Sequence, residues 1–275
     1  MNHQNTKNNR MLVYAARGFL GLVYPIAVLL RAFLPRITER SNFPLQAQAW
    51  LDVIKATGYL QILLYTTEFV AGIAILVGLF VPLAQIVLAS VSLNIALFHF
   101  FLDPRPLRIL LVLLTISAHL ILTYRYRSAY QSLFGSVKPT WSGLIFGPIS
   151  ARLGIQVMIS LIFIVAGAAK LLIPEQLNVG NLLIDGMKAT GYLYTLLGIT
   201  EVAAGFALLS NRFVPLILIV MTPIIINIFA YHLFLAPEGL PIAILLVAGH
   251  TALVAAYFRA YRELLIPIYK PKLKG

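Results

Sequence analysis

The chain has 275 residues, of which 60% are hydrophobic and only 11% charged, with a mean hydropathy of +0.89 and a net charge of +12. A water-soluble domain of this size needs far more charged surface, so a soluble bundle of buried helices is excluded. The absence of Cys excludes disulfides, thiolate catalysis and Cys-ligated zinc or iron–sulfur centres.

The polar, basic segment 1–10 followed by an apolar run resembles a signal peptide. The run is too long for a signal h-region and has no small-x-small site close behind it, so it reads as an uncleaved first transmembrane helix. Seven further runs follow, each about 20 residues, the length that crosses a hydrocarbon core. The eight lie at about 11–34, 57–77, 82–101, 107–127, 150–172, 190–209, 213–235 and 240–261. These predict an all-α integral membrane protein of about eight transmembrane helices, built as two parallel four-helix bundle repeats. Residues 1–128 form the first domain, 129–149 an interfacial linker, 150–263 the second domain and 264–275 a basic tail.

The two halves share one written pattern. Asp52-Val53-Ile54-Lys55-Ala56-Thr57-Gly58-Tyr59-Leu60 returns as Asp185-Gly186-Met187-Lys188-Ala189-Thr190-Gly191-Tyr192-Leu193, and the match runs ungapped to Pro104 and Pro237. Of the 53 aligned positions, 27 are identical, including Glu68/Glu201, Asn94/Asn227 and His99/His232. Low-complexity apolar sequence does not pair a Lys, a Glu, an Asn and a His in one register by accident. An even number of spans per half makes the copies parallel rather than inverted, with a pseudo-twofold axis along the membrane normal.

With eight spans, both termini share a side with the 78–81, 128–149 and 210–212 connections. Thirteen basic residues against Glu263 lie on that side, and eight basic against six acidic on the other. The positive-inside rule then places both termini in the cytoplasm of a bacterial-type inner membrane. The basic rim faces anionic headgroups and needs no nucleic-acid partner. Aromatic residues and Lys138 in the 128–149 linker, with Tyr130, Phe134, Trp141 and Phe146, read as an interfacial anchor.

Glu68 and Glu201 lie about eleven residues into their spans, roughly 16 Å deep. A carboxylate there must be paired with a partner or protonated. Each either fastens a close-packed seam marked by Gly72 and Gly205 or handles a ligand head or proton. Lys55 and Lys188 open the second span, with Tyr59 and Tyr192 one turn deeper, and Arg31 and Lys170 end the first helix at the same height. These residues give each half a basic mouth above its Glu, or else only snorkel and anchor. Asn94 and Asn227 serve as inter-helix glue or as ligand contacts. His119 and His250 reach mid-depth, and a b-type haem held across the halves is a weak alternative. The candidates to bind a ligand or move a proton are therefore Glu68, Glu201, Asn94, Asn227, Tyr59, Tyr192, Lys170 and Lys188. No catalytic constellation or metal set is evident.

Those residues carry a resemblance to the DoxX family of small four-helix membrane proteins, so that the chain looks like two fused DoxX-like domains. The second half is the closer match, with Arg152, Gly167, Lys170, Gly191-Tyr192, Glu201, Ala204-Gly205 and the Arg212-to-Pro215 hairpin. In the first half Arg17 corresponds to Arg152, Arg31 stands for the Lys and Ala27 for the glycine before it, and Gly78-Leu79 replaces Asn211-Arg212. The resemblance implies a non-catalytic accessory subunit of a membrane oxidoreductase or envelope system. Its ligand is a quinone or lipid, with membrane lipids and a membrane or peripheral oxidoreductase subunit as partners. The alternatives are a small-solute or lipid carrier, or a purely structural assembly protein.

Overall fold

The computed structural model describes residues 2–34, 43–135, 139, 150–177 and 180–269. Eleven α-helices follow in order among them: α1 Asn2–Phe33, α2 Leu45–Ala56, α3 Leu60–Val77, α4 Val81–Phe101, α5 Pro106–Arg125, α6 Arg127–Phe134, α7 Ser150–Leu172, α8 Leu182–Ala189, α9 Leu193–Leu209, α10 Val214–Phe234 and α11 Leu240–Ala256. No strand occurs among the described residues. Seven helices are long and apolar enough to span a membrane, and α8 with α9 form an eighth span if that bent pair is counted as one. The protein is an all-α multi-pass membrane protein.

Two compact units divide the chain. The first comprises Met1–Asp52, Leu60–Gln131 and Glu263–Gly275, and the second Val53–Tyr59 and Ser132–Arg262. In the first unit α1 packs on α3 and α5, and α4 closes the ring against α3 and α5. In the second, α7 packs on α9 and α11 while α10 closes against α9 and α11. Small residues bring the first pair of each ring together. A Cβ added at Gly21 would lie 2.7 Å from the Leu76 backbone, and one at Gly205 would lie 2.8 Å from the Ser160 carbonyl oxygen.

The most visible shared motif marks a break in the chain. Gly58 and Gly191 adopt φ of 76° and 77°, a left-handed conformation that cannot continue a right-handed helix. α8 and α9 consequently meet at a bend of 101°. Thr190 fastens the corner: its hydroxyl donates to Met187 O at 2.7 Å and accepts from the Leu193 N–H at 3.1 Å. Thr57 donates likewise to Ile54 O at 2.8 Å. Lys55 and Lys188 therefore end a separate short helix, and Tyr59 and Tyr192 sit at the corner rather than one turn deeper in the same span. Nearly at right angles to α9, α8 has the orientation of a helix lying along the interface.

The second and third spans join through tight hairpins. Gly78 and Asn211 take φ of 87° and 57°, values that Gly and Asn tolerate, while Phe80 and Phe213 are held at 48° and 54° immediately before Val-Pro. Arg17 reaches this corner, donating from Nε to Ile75 O at 3.0 Å and from Nη2 to Leu76 O at 3.2 Å. Gln156 makes the equivalent bond to Leu208 O at 2.7 Å. The structural counterpart of Arg17 is thus Gln156, whereas Arg152 bonds Gln156 and the Tyr257 hydroxyl. In both units a long polar side chain from the first helix donates to carbonyls of this helix end, and in the second Leu208 O also accepts from the Asn211 N–H at 3.1 Å.

The segments after the fourth spans are packed rather than loose. Tyr126, Ala129, Tyr130 and Leu133 are buried, and so are Tyr257, Ala260, Tyr261 and Leu264, each 131 residues later. Tyr130 donates to Pro82 O at 3.3 Å and Tyr261 to Pro215 O at 3.1 Å. The stretch 129–134, expected as part of an interfacial linker, lies wholly within α6, which has a buried face, and Tyr130 points into the fold. Lys138, Trp141 and Phe146 lie outside the described residues. The expected basic tail begins inside the first unit: Phe80 N–H donates to Pro267 O at 2.8 Å, and the Tyr269 and Ser128 hydroxyls meet at 2.8 Å.

Candidate functional site

In the first unit, α1 brings Arg31 from its last turn onto Glu68 in the body of α3. The guanidinium Nη2 donates to Glu68 Oε2, and Nε donates to Ala27 O at 3.0 Å. The same guanidinium lies over the Tyr65 ring, 4.8 Å from its centroid. Glu68 is buried, while the Arg31 side chain keeps 33% of its exposure. Gly72 leaves room one turn along for the Pro25 ring, whose Cδ would stand 2.6 Å from an added Cβ. Close approach at the glycine is what lets an interfacial Arg reach a carboxylate so far along the neighbouring helix.

The second unit repeats the device with different chemistry. Lys170 Nζ donates to Glu201 Oε2 at 2.7 Å, and its side chain is 16% exposed against 3% for the Glu. Gly167 and Gly198 form the seam here: a Cβ at Gly167 would meet Gly198 O at 2.7 Å and Glu201 Cβ at 2.8 Å. Gly198 occupies the place of Tyr65, so the ammonium has no ring beneath it at that position. Burial fixes the register of the first helices at an offset of 139, matching Leu20 with Ile159, Tyr24 with Phe163 and Arg31 with Lys170. Val28, not Ala27, therefore stands where the second unit has Gly167.

Each pair cancels its own charge, which is the condition for keeping a carboxylate at membrane depth. Desolvation makes such pairs poor stabilisers compared with apolar packing. What they supply is a fixed local dipole whose cation carries more N–H donors than the bonds to its Glu and its own helix use. Tyr194 adds to this in the second unit: it is buried seven residues before Glu201 on the same face of α9, and its hydroxyl has no hydrogen-bond partner among the described residues. Sequence comparison drew attention to Tyr192 and missed Tyr194, because position 61 of the first half holds Gln.

The other candidates are placed differently. Lys188 is engaged away from Glu201, donating to Leu177 O at 2.9 Å and lying 5.5 Å from the Tyr194 ring centroid. Tyr59 belongs to the second unit, where its ring stacks on Phe234 at 5.4 Å and 14°. Tyr192 is half-buried at its corner. Asn94 and Asn227 each donate to the carbonyl one turn back on their own helix, Ser90 and Pro223, at 2.9 Å. Each of those bonds uses one N–H of the amide within its own helix. His119 and His250 bond through Nε2 to Ser92 at 2.7 Å and Thr222 at 3.0 Å, hydroxyls of their own bundles. Each contact engages Nε2 alone, and Nδ1 of both rings is buried with no hydrogen-bond partner among the described residues.

Two further polar clusters contain residues that, His99 and His119 apart, the sequence did not single out. Tyr24, Ser92 and His119 form a buried hydrogen-bonded chain in the first unit; in the second, Phe163 and Ile225 stand for Tyr24 and Ser92, and His250 meets Thr222 instead. Asp103, at the α4–α5 turn, is completely buried among His99, Arg105 and Arg108. Among the described residues no group of three or more His, Asp or Glu is placed to hold a metal ion. Comparison with family models, curated proteins and solved structures returned no significant match to this chain.

Proposed function

We propose that the chain is a two-domain DoxX-like protein of a bacterial-type inner membrane, with both termini in the cytoplasm. It acts as a non-catalytic accessory subunit that holds the polar head of a quinone or lipid for a membrane oxidoreductase or envelope process. The supporting observation is the buried Lys170–Glu201 pair with the unpartnered Tyr194 hydroxyl on the Glu201 face of α9. A self-neutralised ion pair favours a dipolar head over an ion. A quinone carbonyl or lipid ester offers acceptors for Tyr194 O–H and Lys170 N–H, while its tail stays among exposed apolar side chains such as Leu161 and Val165. The Arg31–Glu68 pair offers a second, more exposed version. The bias of basic residues toward one side supports the orientation, and the lack of Cys leaves any electron transfer to a ligand or partner.

The test is mass spectrometry of lipids and quinones retained by the purified full chain, compared with Glu201→Gln and Tyr194→Phe. Enrichment of one quinone or lipid species in the wild type, reduced at least several-fold in both variants, supports the reading. Equal retention in all three proteins sinks it. Solute uptake into vesicles that disappears in Glu201→Gln would favour a carrier instead.

A further inference from the structure

The α4–α5 turn of the first unit holds more positive charge than it neutralises. Arg105 donates to Asp103 Oδ1 from Nε at 2.5 Å and to Oδ2 from Nη2 at 3.1 Å, and Arg108 Nη1 lies 3.2 Å from the same Oδ2. His99 Nδ1 approaches Oδ2 at 3.2 Å. One carboxylate thus serves two guanidiniums, whose forks bring about ten N–H donors between them. The two Arg side chains are also fixed against one ring: their central carbons lie 5.3 and 4.1 Å from the Phe43 centroid. Phe43 packs edge-on against Phe98, which anchors the ring to α4.

Asp103 has no exposure, while the Arg105 and Arg108 side chains keep 40% and 30%. The buried carboxylate orients the two cations and the outward sides of their planes remain open. Such a pre-set pair of guanidiniums matches the geometry of a phosphate, which Arg recognises through two parallel N–H donors. The turn follows a 21-residue apolar helix, so it lies at headgroup height. It also precedes α5, whose first turn carries no acidic side chain. In the second unit Ala236, Glu238 and Gly239 occupy the equivalent stretch, and His232 Nδ1 bonds Ala236 O instead.

We propose that Arg105 and Arg108, oriented by Asp103 and Phe43, form a binding site for the phosphate of an anionic phospholipid, present in the first unit and absent from the second. This site is separate from the Glu201 region and stands or falls independently of it.

The experiment is native mass spectrometry of the full chain in detergent, titrated with phosphatidylglycerol, with phosphatidylcholine and with inorganic phosphate. Arg105→Gln/Arg108→Gln should retain phosphatidylglycerol roughly thirtyfold less well, the size expected from two basic side chains at an anionic surface. Arg105→Lys/Arg108→Lys, which keeps charge but loses the forks, should fall between. Should the Gln pair fail to fold with Asp103 left buried, Asp103→Asn/Arg105→Gln/Arg108→Gln removes that charge as well, with melting temperature reporting the fold. Equal retention of phosphatidylglycerol and phosphatidylcholine by the wild type overturns the proposal. So does retention unaffected by the Gln substitutions. Inorganic phosphate binding as well as the lipid, and lost in the same variants, overturns the lipid assignment in favour of a free anion.

Discussion

The first and second units use similar helical frames to hold different polar groups. Their sharpest contrast lies at the intramembrane carboxylates. Glu68 is met by an Arg that rests on Tyr65 and stays one-third exposed, whereas Glu201 is met by a Lys drawn into a seam of Gly167 and Gly198. A planar, weakly hydrated guanidinium can reach inward from the interface while its ring contact shields it. A compact ammonium needs the helices closer together. The same substitution logic runs through the rest of the fold. Arg17 and Gln156 both bond carbonyls in the last turn of the second span, but Arg105 and Arg108 have no equivalents.

Removing the cations probes the contrast most strongly. Lys170→Ala should cost about 3–5 kcal/mol by stranding Glu201, less if the carboxyl takes up a proton. Arg31→Ala should cost less, because that pair is closer to water and headgroups. Reversible unfolding in mixed micelles measures both, and an equal loss would erase the distinction between the sites. Gly167→Ala follows, at about 1–3 kcal/mol, since the added methyl meets a carbonyl and the Glu201 stem across the seam. A neutral result would mean that α7 and α9 are not held at the spacing that brings Lys170 to Glu201.

The acid response separates the turns. Burial pushes the Asp103 carboxyl upward, but the Arg105 hydrogen bond and the Arg108 and Arg105 charges outweigh it and hold its pKa below the usual 3.8. With the folded value depressed, the stabilisation is complete above the unfolded value and disappears as pH falls through the folded one. Wild type should therefore melt above Asp103→Asn at pH 7, and the gap should narrow as the pH falls below 3.8. A gap that persists would assign the effect to packing. The smallest effect concerns what the units share: Tyr130→Phe and Tyr261→Phe should each cost about 0.5–1.5 kcal/mol, by matching amounts. A loss confined to one would show that the shared Tyr contacts differ in weight.

Several of these features could be seen in the chain before folding. Seven of the eight apolar stretches match the helices to within about five residues at both ends, α1 beginning nine residues before the first, and the duplicated Glu stood out because a carboxylate among apolar residues has few permissible surroundings. Thr57-Gly58 and Thr190-Gly191 were visible but misread, since a glycine inside an apolar run looks like a packing residue until its φ is known. The Tyr-x-x-Ala-Tyr-x-x-Leu pattern at 126–133 and 257–264 was legible too. Its offset of 131, already carried by His119 and His250, placed it outside the 133-residue match. Asp103 was passed over because the aligned position is Ala236, and resemblance between halves draws attention only to what both retain.

Composition and run length alone determined that this is an all-α membrane protein and where its apolar helices fall, but not the breaks at Gly58 and Gly191. Hydrocarbon leaves a chain this apolar no other way to satisfy its backbone. Tertiary structure decided which cation meets each carboxylate, that Arg17 answers to Gln156, and that one Asp gathers two arginines at a single turn. Those pairings depend on how far one helix slides along another, and the offsets of 139, 133 and 131 differ from helix to helix. Partners 37 or 31 residues apart, such as Arg31 with Glu68 and Lys170 with Glu201, are brought together by helix packing, which no local pattern records.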